Sequence, residues 1–172
     1  GVNLRSALPN AEIHILNGLL PNALEIYRDY ALVPVLCSLG DLKIWKNFNT
    51  ASPLPCDIHV DTGMLRLGLP PSELSILQKE HDRLFGLNVR LIMSHLASSE
   101  DINSNQNTMQ LEAFKQARKI LPMGKACLAN SSGIFLGPQY HFEMARPGVA
   151  IYGANPTPNK PNPMTPTINL DI

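Results

Sequence analysis

Short apolar runs alternate with longer segments of helical periodicity along most of this chain, and this alternation strongly constrains its fold. Apolar runs of about five residues suit buried strands, whereas apolar residues three and four apart indicate amphipathic helices. Strands that alternate with helices favour a parallel sheet with right-handed crossovers. The predicted strands are 12–16, 32–36, 56–60, 88–93, 125–129 and 149–152, and the predicted helices are 21–30, 41–48, 72–85 and 105–121.

Two of the predicted helices have a well-marked apolar face. In helix 72–85 the inward residues are predicted to be Leu74, Leu77, His81 and Leu84. In helix 105–121 the apolar spacing predicts an inner face of Met109, Ala113, Phe114, Ala117, Ile120 and Leu121. Both faces are expected to pack against the sheet.

Composition excludes several classes of protein. The 172 residues are 44% hydrophobic and 16% charged, which suits one globular domain. The formal net charge is zero without a basic stripe, so we do not expect a nucleic-acid partner. No apolar run approaches the ~20 residues of a membrane span, and residues 1–5 do not resemble a signal peptide. The three cysteines lie in apolar runs without metal-ligand spacing, and we expect free thiols in the cytoplasm: Cys37, Cys56 and Cys127.

Polar residues recur just beyond the predicted strands. Because the carboxyl ends of parallel strands meet at one edge of a sheet, these residues are expected to share one rim, where barrel enzymes place their chemistry. The predicted strand 56–60 is followed by an arginine, the strand 88–93 by a histidine, and the strand 125–129 by an asparagine and a serine. An arginine and a glycine precede the last strand. The candidates are Asp61, Arg66, Ser94, His95, Asn130, Ser131, Arg146 and Gly148.

Several of these residues also have a structural interpretation. Arg146 could be an arginine that forms a salt bridge at a strand start. Arg66 could be an exposed arginine at a helix start, and Asp61 could only stabilise a turn. His95 could be a hydrogen-bonded core histidine. Asn130 or Ser131 could cap the short helix that follows, although a helix start of this kind also suits a phosphate group.

The segment from Asp61 to Gly68 reads Asp-Thr-Gly-Met-Leu-Arg-Leu-Gly and resembles the signature of the alanine racemase family. Motifs around His95, Asn130–Ser131 and Arg146–Gly148 match that family in the same order. The resemblance implies an α/β fold of the (β/α)8 TIM-barrel type with about six of eight units present. Residues 1–154 would form the partial barrel. Residues 155–172 would be a linker followed by the first strand of a C-terminal β-domain, 164–172.

The resemblance also implies a cofactor, pyridoxal 5'-phosphate (PLP), and the interconversion of L- and D-alanine for peptidoglycan. In this family the counterpart of Arg66 contacts the phenolic oxygen of PLP. The counterpart of Arg146 meets the pyridine nitrogen, and that of His95 contacts this arginine. The phosphate would bind at Asn130, Ser131, Gly148 and Val149, and Arg66 and Met64 would contact the substrate. The family also implies a homodimer and no metal ion.

The chain departs from the family pattern in three respects. The lysine of the family's lysine-alanine-x-alanine-tyrosine-glycine motif, which forms the Schiff base with PLP, has no match among its lysines. The catalytic tyrosine belongs to the β-domain. His59 stands where many members have a carbamylated lysine. We therefore expect this chain alone to be inactive. A non-catalytic PLP-binding barrel is the alternative, and a metal-dependent hydrolase using Asp61 and His95 lacks a third ligand.

Overall fold

The computed structural model describes residues 1–49, 52–121 and 123–168. The strands are β1 (Ile13–Ile15), β2 (Leu32–Leu36), β3 (Pro55–His59), β4 (Asn88–Met93) and β5 (Lys125–Cys127). The α-helices are α1 (Val2–Ala7), α2 (Leu24–Asp29), α3 (Leu39–Phe48), α4 (Pro71–Lys79) and α5 (Asn105–Ile120). Single 3-10 turns cover Pro21–Ala23, His81–Leu84, Gly133–Leu136, Pro138–Tyr140 and Val149–Tyr152.

The five strands form one sheet in the order β1-β2-β3-β4-β5, and every neighbouring pair is parallel. This order never reverses, so successive crossovers lie on the same face, as they do in an α/β barrel rather than in a doubly wound sheet. The large apolar core lies on that outer face, where Leu36, Ile58 and Ile92 meet side chains of the helices such as Leu77 and Phe114. The predicted parallel sheet is therefore confirmed.

The inner face of the sheet is smaller and partly polar. Its apolar residues are Val35, Leu91, Met93 and Cys127, with Cys37 packed against them. The Asp57 carboxylate is fully buried, and its Oδ2 lies 2.5 Å from Nδ1 of His14. Because strand residues alternate between faces, Asp57 and His59 share the inner face while Ile58 joins the outer core.

The sixth predicted strand, 149–152, is wrong, because Val149–Tyr152 forms a 3-10 turn. The amide of Ala150 in this segment and that of Gly148 just before it are already bonded, because both donate to the Ser131 hydroxyl. The place beside β5 is taken instead by Met144, which forms an isolated parallel bridge with Cys127. The sheet therefore has five strands and one bridge beside the fifth.

The helices also differ in detail from the prediction. Helix α4 ends at Lys79 and a separate 3-10 turn follows, so His81 is exposed rather than inward. In α5 the inner face is rotated from the predicted one: Met109 is 69% exposed and Ala113 is exposed. The buried residues of α5 are Asn107, Gln110, Leu111, Phe114 and Ala117. Polar partners in two nearby loops account for the burial of Gln110.

The cysteines and the C-terminal segment complete the fold. All three cysteines are free, with Cys56 and Cys127 buried. Over the part of the chain that the structure describes, no helix has the length and apolarity to cross a membrane. The described residues 155–168 contain no strand, and residues 169–172 of the predicted strand 164–172 lie outside the described residues.

Candidate active site

The loop after β3 carries Arg66 and is organised by the carboxylate of Asp61. Its Oδ1 accepts hydrogen bonds from the backbone N–H groups of Gly63, Met64 and Leu65 at 2.9, 3.0 and 3.1 Å. The turn interpretation of Asp61 thus agrees with its contacts. Arg66 follows this turn with an exposed side chain, and Met64 is half-buried.

The end of this loop returns to the strand that begins it. The amide of Leu69 donates to the carbonyl of His59 at 2.8 Å, and the amide of Asp61 donates to the carbonyl of Leu69 at 2.9 Å. Gly68 allows this approach, because its φ is +110° and a Cβ there would lie 2.7 Å from the Asp61 nitrogen. The Arg66 loop is therefore closed at both ends by backbone contacts.

Arg146 lies across the ends of β4 and β5. Its Nη1 donates to the carbonyl and the Sγ of Cys127 at 3.0 and 2.9 Å, and its Nη2 donates to the carbonyl of Ser94. Its backbone N–H donates to the carbonyl of Ala129 at 2.8 Å. The guanidinium has five N–H donors, and among the described residues only three such hydrogen bonds of its side chain are present. Donors therefore remain for a ligand at the rim.

Two histidines face the same region. Burial first, and then the nearby cations of Arg146 and Arg66, together lower the pKa of His59 to about 4. Burial also lowers the pKa of His95 to about 4, again with contributions from Arg146 and then Arg66. The shared cations show that the four side chains lie within one electrostatic environment. Both imidazoles are therefore neutral near neutral pH and can accept a hydrogen bond.

The loop after β5 connects with the segment after Arg146. Ser131 is buried, and its Oγ accepts from the amides of Gly148 at 2.8 Å and Ala150 at 3.3 Å. The Ser131 hydroxyl proton stays available as a donor. Asn130 caps the following turn, as its Oδ1 accepts from the amide of Gly133 at 2.9 Å. The side chain of Val149 is 53% exposed.

Several polar residues near the rim escaped the sequence analysis. Gln110 of α5 contacts the loops after both β3 and β4. Thr62 was not predicted either, and its hydroxyl lies 2.7 Å from the hydroxyl of Ser94, which was a candidate. The buried pair of Asp57 with His14 was not predicted either. For Gln110 the only available signal is its helical spacing of four residues from Phe114.

A separate cavity of about 310 Å3 lies between the turn 132–136, the loop 99–102 and the C-terminal segment 156–163. It contains none of the predicted site residues, so it does not replace the rim as the candidate site. Within residues 1–49, 52–121 and 123–168, no group of three or more histidine, cysteine and acidic side chains could hold a metal ion.

The fold and the rim define a barrel-type α/β protein that gathers its polar side chains at the carboxyl ends of its strands. Residues 1–156 match the family described as alanine racemase, N-terminal domain, and the chain belongs to that family. The chain is 47% identical to an alanine racemase of Rickettsia bellii over 175 residues, which cover 99% of this chain and 42% of that protein. It is 42% identical to a catabolic alanine racemase of Mesorhizobium japonicum, across 99% of this chain and 45% of that protein.

A solved structure gives the same result for the fold. Alanine racemase from Bartonella henselae, crystallised with covalently bound pyridoxal phosphate, superposes with a TM-score of 0.89 at 37% identity, covering 95% of this chain and 48% of that chain. The predicted barrel class is therefore confirmed. The chain spans less than half the length of these relatives.

Proposed function

We propose that this chain forms the cofactor-binding half of a PLP-dependent alanine racemase. The observation that carries the proposal is the charge of the rim. Arg66 and Arg146 lie near two neutral histidines. The nearby carboxylate of Asp61 accepts hydrogen bonds from three backbone amides. An anionic aromatic ligand with a phosphate group suits such a set of donors.

The residues present fit this cofactor at three places. Arg66 has an exposed guanidinium that can donate to a phenolate oxygen. The Ser131 hydroxyl and the turn that follows Asn130 can donate to a phosphate, and we propose that Gly148, whose amide bonds to Ser131, and the adjacent Val149 border the same place. Arg146 has free N–H donors for the ring nitrogen, and because a guanidinium keeps its proton, it would leave that nitrogen unprotonated.

PLP, when bound, supplies the electron-withdrawing ring that acidifies the Cα–H of an amino acid. His95 is neutral and near Arg146, so it can help to orient that guanidinium without adding charge. Met64 lies in the loop that carries Arg66, and we propose that its side chain contacts the substrate, alanine. We place the whole protein in the cytoplasm as a homodimer that supplies D-alanine for peptidoglycan. Residues 1–154 would be its partial barrel, and residues 155–172 would connect the barrel to a β-domain.

A titration with PLP followed by absorbance tests the binding part. Arg66→Ala should weaken PLP binding by about 10- to 100-fold, because a charge-assisted hydrogen bond contributes about 1.5–3 kcal/mol. Arg83→Ala is the matched control, since Arg83 is also exposed but lies on the outer surface, paired with Glu80. Equal affinities of parent and Arg66→Ala, or no binding by the parent, would contradict the proposal.

A racemisation assay with L-alanine tests the catalytic part. The 172-residue chain should bind PLP without turnover, because its lysines lie on helices, at the start of β5 or in the C-terminal segment, away from the loops of the rim. Turnover by this chain alone would show that one of these lysines acts as the base. A protein as long as the relatives and carrying this chain should racemise alanine. Binding without racemisation there would favour a non-catalytic PLP-binding barrel.

A further inference from the structure

The side chain of Gln110 makes three hydrogen bonds next to the rim. It is 1% exposed. Its Oε1 accepts from the amide of Ala97 at 2.8 Å. Its Nε2 donates to Oγ1 of Thr62 at 3.1 Å and to the carbonyl of His95 at 2.9 Å. One amide group thus bonds to the loop after β3 and twice to the loop after β4.

Further hydrogen bonds connect Gln110 to the loop of Arg66 and to the side chain of Arg146. Thr62, in the loop of Arg66, shares a hydrogen bond of 2.7 Å with the hydroxyl of Ser94. The carbonyl of Ser94 accepts from the guanidinium of Arg146. A continuous hydrogen-bonded network therefore runs from α5 through the two loops to Arg146.

A second glutamine, one helical turn earlier, repeats the connection. Gln106 accepts from the hydroxyl of Ser98 and donates to the carbonyl of Gly63 at 3.2 Å. Residues four apart lie on one face of a helix, so both glutamines bring the same face of α5 against the same two loops. Gly63 has a φ of +127°, which residues other than glycine rarely adopt, so the loop can turn at this contact.

We propose that Gln110 is a positioning residue, which fixes the loop of Arg66 relative to the loop of His95 and thereby sets the spacing of the cofactor-binding rim. Its effect on PLP rests on the proposed function, whereas its effect on the loops does not. A glutamine suits this task because its amide presents a donor and an acceptor together. Burial makes the loss of these bonds costly, since the loop groups left behind could not reach water.

Amide hydrogen exchange in the purified 172-residue chain tests the loop part without any cofactor. Gln110→Met keeps the length of the side chain and removes all three hydrogen bonds. We expect exchange in segments 62–66 and 95–98 to become about tenfold faster, while β2 and β4 keep the parent's rates. Gln116→Met is the matched control, because Gln116 is a glutamine of the same helix with an exposed side chain.

The PLP titration tests the effect on the rim. In the parent chain, Gln110→Met should weaken PLP binding about tenfold. In a chain that already carries Arg66→Ala, the same change should weaken binding by less than about twofold, because Gln110 acts on the cofactor through Arg66. Thr62→Ser preserves the hydroxyl and should keep the parent's affinity for PLP. Thr62→Val removes the hydroxyl and should weaken PLP binding about as much as Gln110→Met.

The outcomes separate this proposal from the proposed function. Faster exchange in every segment alike, or equal losses of affinity in both backgrounds, would show that Gln110 only stabilises the core and would overturn the positioning role. Unchanged loop exchange would overturn it as well. If Gln110→Met loosens only the two loops while the parent chain binds no PLP, the positioning of the loops would be supported and the proposed function would be overturned.

Discussion

Acidification should destabilise this protein through its two inner histidines. Burial and the neighbouring arginines lower the pKa of both His59 and His95 to about 4, whereas histidine in an unfolded chain titrates near 6.5. Between these values the unfolded chain binds more protons than the folded one. The free energy of unfolding therefore falls as the pH falls through this range.

The size of the effect follows from the two pKa values. A histidine that titrates near 6.5 when unfolded and near 4 when folded should reduce the free energy of unfolding by about 2 kcal/mol between about pH 7 and pH 5. Two such groups together should reduce it by about 4 kcal/mol, which is a large share of the ~5–15 kcal/mol of an ordinary domain. The hydrogen bond to Asp57 raises the pKa of His14, so this histidine offsets part of the loss.

Urea unfolding followed by circular dichroism at both pH values measures this loss. His59→Gln replaces one imidazole by a neutral polar group and should halve the loss. His81→Gln removes a histidine that is exposed on the outer surface and should leave the loss as in the parent. A parent whose stability does not change over this range, or a His59→Gln variant that keeps the full loss, would refute the reasoning. Ring titrations by NMR with midpoints near 6.5 would refute it directly.

Two further predictions concern stability. His14→Ala should lower the free energy of unfolding by about 3–5 kcal/mol, because it leaves the fully buried carboxylate of Asp57 without its histidine partner. Asp57→Asn should lower it by only about 1–2 kcal/mol. Equal losses for the two variants in urea unfolding would contradict this. Gly68→Ala should lower the free energy of unfolding by more than about 2 kcal/mol, since its Cβ would meet backbone atoms at 2.7 and 2.8 Å. Gly86→Ala, with a similar positive φ but open space, should cost only about 1 kcal/mol, and thermal unfolding compares the two.

The regular parts of the fold could be predicted because their signals are local. The bounds of β2 and β4 agree with the predicted 32–36 and 88–93, since a short apolar run between two helical segments suits a buried parallel strand. Helix α5 begins at the predicted residue and ends one residue earlier. The rim itself followed from topology alone, because residues after parallel strands must meet at one edge.

The 3-10 turn Val149–Tyr152 shows where local signals fail. Valine, isoleucine and tyrosine favour strands, and the preceding arginine and glycine suggested a strand start. The hydroxyl of Ser131 decides the outcome, because it accepts hydrogen bonds from the amide of Ala150 in this segment and from that of Gly148 just before it. That residue lies 17 and 19 positions away from its two partners, which no local pattern encodes.

The rotation of α5 has the same kind of cause. By hydrophobicity Met109 should lie inside and Gln110 outside. The two loops offer Gln110 three hydrogen bonds, and these offset the cost of burying its amide. The partners lie between 13 and 48 positions away in sequence, so the inward face of this helix is decided by loops that only the folded sheet brings together.

The loop contacts also explain how Arg66 can be held in a chain with histidine at position 59. A neutral His59 offers no negative charge, and within the described residues the guanidinium of Arg66 has no hydrogen-bond partner. The backbone of its loop is instead fixed at the start by Asp61 and at the end by Gly68. Between these points Thr62 bonds to Gln110. Because these contacts act on the main chain, they hold the loop of Arg66 while leaving the donors of its guanidinium free, as the proposed binding of an anionic cofactor requires.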